Sequence, residues 1–398
     1  MPQTYTVHAA QSTREVDAAE WDACANPRPD AGGACETAQD SERYNPFITH
    51  GFLTALETSK SVGAASGWIS AHVLVKDASG RLAAAAPAYF KTHSMGEYVF
   101  DHGWAEAYTN AGLRYYPKLQ VAVPFTPVTG RRLLVAKGHG EEARKSLISG
   151  LRTLRDITKA SSLHITFPPR AEWEFLGECG FLQRTGQQYH FINKGYDSFA
   201  AFLADLASRK RKMIRRERKE ALSPGIAIEL LTGTDIKEHH WDAFFRFYMD
   251  TGARKWGTPY LTREFFSVAG AAITKNILLV MAKRDGRYIA GALNYLGQDA
   301  IYGRNWGAIE DHPFLHFEAC YYQAIEFAIA RGLARVEAGA QGEHKLARGY
   351  RAVETFSAHD IGDRRFAEAI GRYLESERIH NNLVLRECNE LAPFKKGP

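Results

Sequence analysis

The chain has 398 residues, of which 45% are hydrophobic and 24% charged, with a formal net charge of +5. This balance belongs to a globular protein rather than a disordered or membrane-embedded one, and the length exceeds what one hydrophobic core usually supports, so two domains are expected. The charge is too mild for a surface that coats nucleic acid, and the scattered cysteines Cys24, Cys35, Cys179, Cys320 and Cys388 have neither zinc-site nor disulfide-scaffold spacing.

The first stretch, MPQTYTVHAAQSTREV, has no apolar core of a signal peptide, and no run nears the ~18 apolar residues of a spanning helix, so a cytoplasmic location is expected. Residues 22–43 are rich in Ala, Gly, Pro and Asp and predict a surface loop. In NPFITHGFLTALETS, Phe47, Phe52, Leu53 and Leu56 sit near helical spacing with Asn45 or Thr49 placed to cap. HVLVKDASGRLAAAAPAYFKTH follows as two apolar runs joined across Asp77 to Gly80, a β-hairpin pattern. KTHSMGEYVFDHGWAEAY then carries His93, Glu97, Asp101 and His102. Alternating Tyr98 and Phe100 predict a strand there that would send these side chains to opposite faces, which disfavours a metal site. Glu97 and His102 are instead assigned to a substrate cleft fringed by Trp104 and Tyr108.

The hairpin recurs two hundred residues later as ILLVMAKRDGRYIAGALNYLG. Each copy is followed by a strand, an irregular stretch, a helix and a further strand, so an internal duplication is expected. The join falls at NKGYDS, giving domains 1–195 and 196–398, each an α+β layer.

The second half opens on SFAAFLADLASRKRKMIRRERKEALSPG, predicted as one helix from Ser198 to Pro224-Gly225, with eight Lys or Arg between residues 208 and 222. A 3.6-residue period puts Arg211, Arg215, Arg218 and Lys219 on one face and Arg209, Lys212 and Arg216 on another. One row then meets solvent while the other faces an anion in a cleft, with Arg211 and Arg215 gripping it. RKWGTPYLTREFF supplies Arg254, Lys255, Trp256 and Tyr260 on an irregular, cleft-lining segment. In the strand AIYGRNWGA, Tyr302, Arg304 and Trp306 alternate and are expected to share one ligand-facing side. His316 and Glu318 begin the next helix, where free N–H groups favour an anion. GAQGEHKLARGY then crowds Glu343, His344, Lys345, Arg348 and Tyr350 into eight positions after a predicted strand.

The helix pattern at Ser208–Lys219, together with NPFITHGFLTALE, YYPKLQVAVPFTPVTGRRLL, RKWGTPYLTREFF, YGRNWGAIEDHPFLHFEACYYQAIEFAI and GAQGEHKLARGY, resembles the Fem aminoacyltransferases, and more closely the FemAB-like branch of the GNAT superfamily. That resemblance implies two tandem GNAT-like domains with a cleft between them and an N-acyltransferase activity. The donor would be aminoacyl-tRNA or acyl-CoA, a co-substrate rather than a resident cofactor, and the acceptor an amine of a cell-wall precursor or small metabolite. It also implies possible contact with a tRNA acceptor end and no need for a metal. Attack of an amine on an activated carbonyl needs a proton acceptor and donors for the oxyanion, and no covalent nucleophile. Lys345 and Arg348 are assigned to the oxyanion, His344 to the base, Glu343 to its orientation, and Arg304, Tyr302, Trp306 and His316 to the substrate. Gly130, Arg131 and Arg132 lie where a GNAT domain puts its phosphate loop and are assigned to phosphate binding, with only one glycine of the usual pattern. The alternative is a Fem-like binding protein without catalysis, recognising a peptidoglycan precursor or another phosphorylated amine.

Overall fold

A computed structural model describes residues 4–27, 43–223, 225–255, 259–339 and 342–395. In chain order the elements are β1 (Thr6–Ala10), α1 (Ala18–Ala25), α2 (His50–Thr58), β2 (Trp68–Ser70), β3 (His72–Lys76), β4 (Leu82–Ala86), β5 (Ala88–Lys91), α3 (His102–Asn110), β6 (Lys118–Val121), β7 (Leu134–Val135), α4 (Gly140–Ile157), β8 (Ser162–Thr166), α5 (Arg170–Glu178) and β9 (Leu182–Ile192). They continue with α6 (Phe199–Asp205), α7 (Ser208–Leu222), β10 (Ala227–Thr232), α8 (Glu238–Lys255), α9 (Arg263–Ala272), β11 (Ile277–Arg284), β12 (Arg287–Leu296), β13 (Ala300–Ala308), α10 (Leu315–Phe317), α11 (Gln323–Ala330), β14 (Arg335–Glu337), β15 (Arg351–Ile361) and α12 (Arg364–Glu390).

The chain forms two units, the first comprising Met1–Gly186 and Thr355–Asn381, the second Gln187–Glu354 and Asn382–Pro398. A single cut at 195/196 therefore differs from the structure, because each unit takes a strand from beyond that point. In the first, β8 pairs antiparallel with β15 from Ser357↔Thr166 to Ile361↔Ser162. In the second, β14 pairs antiparallel with β9 through Arg335↔Ile192 and Glu337↔His190. A strand edge must satisfy its N–H and C=O groups wherever a partner is available, and local sequence does not say which strand supplies them.

The duplicated pattern is present in both units. A first strand (β1, β10) pairs antiparallel with a hairpin (β3–β4, β11–β12), and a later helix crosses over to bring β8 parallel to β6 and β14 parallel to β13. The first core packs Leu119, Val121, Leu163 and Ile165 against Leu147, Ile148 and Leu151 of α4. The second packs Leu278, Val280, Ala292 and Ile301 against Phe202 and Leu203 of α6 and Ala324, Ile325 and Ala328 of α11. Full burial of each such large side chain contributes roughly 1.5–3 kcal/mol. Thr49 caps α2, accepting from Phe52 N at 3.2 Å, and Ser198 caps α6, accepting from Ala201 N at 3.2 Å.

Two local expectations change. The single basic helix is broken at Leu206, whose backbone is extended (ψ 152°) and bridges to Phe394, while Ala207 N donates to Pro393 O at 2.9 Å. The strand expected around Tyr98 and Phe100 does not form, because Gly96 (φ 80°) and Tyr98 (φ 60°) are left-handed and the segment stays irregular until α3.

Candidate functional site

The second unit's parallel strands β13 and β14 are paired only from Ala300↔Arg335 to Tyr302↔Glu337, although β13 continues to Ala308. They part where β13 bulges. On β12, Asn294 faces Gly303 and Leu293 faces Asn305, so Arg304 is the extra residue without a partner on β12. A bulge of this kind re-aims side chains and frees backbone groups, and bulges gather beside active sites. A Cβ at Gly303 would sit tightly against Asn294 Oδ1, at 3.3 Å, and in ordinary contact with Ala338 Cα and Glu337 O at 3.5 Å.

Lys345 stands at this fork. Its side chain is 1% exposed, and Nζ donates to Gly339 O at 3.0 Å, two residues beyond the end of β14. Burial pushes its ammonium down to about 8, with the Cys320 thiol opposing the shift and the Arg304 guanidinium adding to it. The 3₁₀ turn Glu343–Arg348 that carries Lys345 is bracketed by left-handed glycines, Gly342 (φ 112°) and Gly349 (φ 90°).

Arg348 is held away from an oxyanion role. Its Nε and Nη2 donate to Glu217 at 3.1 and 2.8 Å, its Nη1 donates to His344 O at 2.8 Å, and its guanidinium stacks 3.5 Å from the centroid of Phe317. Tyr322 also donates to Glu217. The basic helix α7 thus meets this turn through a buried acid, with Ile214, Glu217 and Ala221 as its inward stripe. Arg211 lies half-buried on that stripe and Arg215 is exposed. Arg218 is spent on Glu318 (2.9 Å) and Glu326 (2.8 Å), so Glu318, fully buried, is an ion-pair partner rather than an exposed helix start.

His344 is exposed at the surface and shares a 2.9 Å hydrogen bond with the hydroxyl of Tyr321. Burial, then Arg348 and Lys345, hold its pKa below the ordinary histidine value. His316 packs edge-on to Trp306 (5.3 Å) and lies 6.5 Å from the His344 ring. Glu343 is exposed. Residues 318–322 form a π-helical turn between α10 and α11, a feature frequent at functional sites.

Tyr302 does not share a face with Trp306. The bulge shifts the register by one, so Tyr302 aligns with Tyr295 and Trp306 with Ala292, which are on opposite faces of β12. Tyr302 is 3% exposed. Arg254 is also reassigned, because α8 runs through to Lys255 and Arg254 Nη2 donates to Ala308 O at 2.6 Å. Tyr260 is 40% exposed, while the Lys255 side chain and Trp256 fall outside the described residues.

In the first unit the corresponding fork, between β6 and β8, is filled by protein. Arg132 is fully buried and donates to the carbonyls of Thr166, Gly130, Arg131 and Val128, while its own N–H donates to Glu172 at 3.0 Å. Arg131 donates to Cys24 O and Ala25 O, and a Cβ at Gly130 would meet Asn45 Nδ2 at 2.5 Å. The segment 130–132 is therefore a structural plug, not a phosphate loop, because both guanidinium groups already serve backbone acceptors.

Glu97 is not a cleft residue either. It is 4% exposed within a buried ionic cluster on the first unit's sheet, where Lys118 Nζ donates to it at 2.7 Å, to Ser94 Oγ at 2.9 Å and to Asp101. Tyr115 donates to Asp101 at 2.6 Å and lies 3.3 Å from His164 Nε2, whose Nδ1 is 2.7 Å from His359 Nδ1. His102 is exposed at the start of α3 and His93 hydrogen-bonds Ser66 O, so the motif's four residues do not converge. Burial pulls Lys118 down, but Glu97 and Asp101 more than offset this and raise it. Burial lifts Glu97 to about 7 and presses His164 down to about 3.

Sequence reasoning missed Glu217, Lys91, Lys118, Tyr115, His164 and His359. The available signal was an acid at i+3 from Ile214 inside a basic run, and single Lys or His residues inside otherwise apolar strands.

The fold is α+β with two GNAT-like units, each built around a parallel strand pair that follows a hairpin. The family model for peptidoglycan biosynthesis/recognition, FemAB-like, matches residues 12–396, and the chain belongs to that family. Among solved structures, FemX is similar at 14% identity and a TM-score of 0.53, covering 92% of this chain and 100% of that one. The C-terminal domain of a putative lysylphosphatidylglycerol synthetase from Agrobacterium fabrum is similar at 7% identity and a TM-score of 0.50, covering 83% and 91%. A tandem GNAT protein from the clavulanic acid biosynthesis pathway aligns at 12% identity and a TM-score of 0.47, covering 90% and 99%. No curated protein matches the sequence. Among the described residues, no helix is long and apolar enough to cross a membrane.

Proposed function

We propose that the second unit transfers an acyl or aminoacyl group from an activated donor, aminoacyl-tRNA or acyl-CoA, to an amine of a cell-wall precursor or related metabolite. The observation that carries this reading is the fork of β13 and β14 at the Arg304 bulge with Lys345 buried at its mouth. The donor carbonyl lies in the fork, where the backbone freed by the bulge and the Lys345 ammonium stabilise the oxyanion as the amine attacks. A pKa near 8 leaves that ammonium protonated at neutral pH yet poorly solvated, so its charge acts in a low-dielectric setting. His344 takes the proton released by the nucleophile, directly or through Tyr321. Arg304 supplies charge beside the same carbonyl, and Arg211 and Arg215 on α7 hold the donor's or acceptor's phosphate.

Membership in a peptidoglycan biosynthesis/recognition family supports the choice of acceptor. The test is a thermal-shift panel of acyl-CoAs, charged tRNAs and UDP-linked muropeptides, followed by mass spectrometry of products formed by the wild type and by Lys345→Met. Product formed equally by both removes the fork from the reaction.

A further inference from the structure

The sheet of the first unit has one apolar face and one polar face, and both are buried. Leu119, Val121, Leu163 and Ile165 point into the core, while their neighbours Lys118, Gln120, His164 and Thr166 point the other way. On that polar face Lys91 and Lys118 stand directly opposite each other on β5 and β6, both 0% exposed. Like charges across a strand pair are destabilising, and a buried ion pair is often no more stable than the apolar residues that would replace it. Packing therefore does not explain the two lysines.

We propose that Lys91 and Lys118 form a binding site for a phosphoryl dianion, and that Glu97 and Asp101 occupy this site in the present structure. The two carboxylates belong to one irregular segment, 92–101, whereas both ammonium groups belong to the sheet. The match between them is incomplete. Glu97 Oε1 and Asp101 Oδ1 are buried without a hydrogen bond, and Lys91 Nζ stands 3.8 Å from Glu97 Oε1 while donating to Met95 O at 3.1 Å. Lys91 also lies over the Trp68 ring at 3.9 Å, near His93 Nδ1 at 3.5 Å. A compact phosphoryl group receives hydrogen bonds from both ammonium groups, each lysine having three donors, and leaves no carboxylate oxygen orphaned inside the protein.

The segment is built to leave. Its outer surface carries Met95 (54% exposed) and Phe100 (59% exposed). Apart from the lysine contacts, its ties include Thr92 N to Gly67 O (3.3 Å), His93 Nε2 with Ser66 O (3.0 Å), Ser94 Oγ with Tyr116 Oη (2.8 Å), Phe125 N to Gly96 O (3.2 Å), Tyr115 Oη to Asp101 (2.6 Å) and Arg184 to Phe100 O (2.7 Å), all of them single hydrogen bonds that water can replace. A dianion that takes the ammonium groups returns Glu97 and Asp101 to water, where carboxylates are well solvated. This site lies in the first unit and does not rest on the transfer reading of the second.

The experiment titrates the full chain with pyrophosphate, inorganic phosphate and succinate, following chymotryptic cleavage after Tyr98 and Phe100 alongside the melting temperature. Pyrophosphate or phosphate is expected to accelerate cleavage of the segment several-fold while raising the melting temperature. Glu97→Gln weakens the built-in occupant and is expected to tighten the apparent affinity about tenfold, as when a competing closed state is depopulated. Lys91→Met abolishes both responses. Should Lys91→Met fold poorly, the cleavage response of the wild type still decides. Unchanged cleavage at saturating pyrophosphate overturns the proposal, as does an equal melting shift in wild type and Lys91→Met, which means adventitious binding to the basic surface only. Succinate acting as strongly as pyrophosphate overturns the assignment to a phosphoryl group.

Discussion

Glu217 accepts two hydrogen bonds from the Arg348 guanidinium, at 3.1 and 2.8 Å, with both side chains buried. The most basic helix of the chain is thereby fastened to the turn carrying Lys345 by its one inward-facing acid. Removing one member of a buried pair leaves the other charge uncompensated, so Glu217→Ala is expected to destabilise the second unit by about 3–5 kcal/mol. Denaturant unfolding checks this, and a double-mutant cycle with Arg348→Met should show strong coupling. Arg348→Lys should not rescue, because a point charge cannot replace a bidentate fork stacked on Phe317.

Lys345→Met is expected to lower transfer by at least about 100-fold, the scale of losing one oxyanion donor, with little loss of stability. Because burial sets its pKa at about 8, transfer that needs the ammonium should fall as pH rises through that value. Its contribution to stability has the opposite direction. The folded state binds fewer protons than the unfolded one between about 8 and the ordinary lysine range, so stability rises with pH across that window. Lys345→Met should flatten that rise in a pH series of unfolding curves.

The buried pair His164 and His359 predicts acid sensitivity of the first unit. Both are held neutral by burial, with Lys118 and Arg184 adding to the effect on His164 and Asp101 opposing it. Unfolding lets both take up protons below about pH 6.5, so stability is lost as pH falls from there toward 3. Glu97, raised to about 7, acts the other way, its contribution being largest at low pH and lost as pH rises through 7. His359→Gln should reduce the acid slope, and Glu97→Gln should steepen it between about pH 4.5 and 7, both read from melting temperatures between pH 4 and 8.

Arg132→Ala should unfold the first unit readily, costing several kcal/mol, because four carbonyls lose their donor at once. A phosphate-binding arginine at the surface would instead lower ligand affinity and leave stability nearly intact. Comparing melting temperature with acyl-CoA binding for this variant separates the two roles.

On the exposed face of α7, Arg209, Lys212, Arg215, Arg216 and Lys219 show no ion pair among the described residues. Replacing Arg209, Lys212 and Arg216 by Gln should change stability by no more than about 0.5 kcal/mol each. Under the transfer reading with a charged-tRNA donor, the same changes should weaken tRNA binding and reduce its salt dependence.

Much of the fold was legible in the sequence. The hairpins, the repeat that relates them and the capped helices depend on local pattern, so Thr49, Ser198 and the paired apolar runs announce themselves. The turn that carries Lys345 was also legible, since a glycine-bounded cluster of charges after a strand marks a turn. Which charges such a turn keeps free was not. Arg348 and Arg218 are consumed by Glu217 and Glu318, acids 131 and 100 residues away in the chain. Arg304 shows the same limit on a smaller scale, for one bulged residue reversed the side on which Tyr302 lies relative to Trp306.

The amino-acid order by itself determined the duplicated α+β architecture and placed Lys345 at the end of a strand, because hydrophobic period and turn chemistry act over a few residues. Only the tertiary structure decided that β8 pairs with β15 and β9 with β14, that Arg132 plugs one fork while the other holds Lys345, and that Lys91 and Lys118 face each other under two carboxylates. Those outcomes depend on long-range pairing of charges and strand edges, whose energies exist only once distant segments are brought into contact.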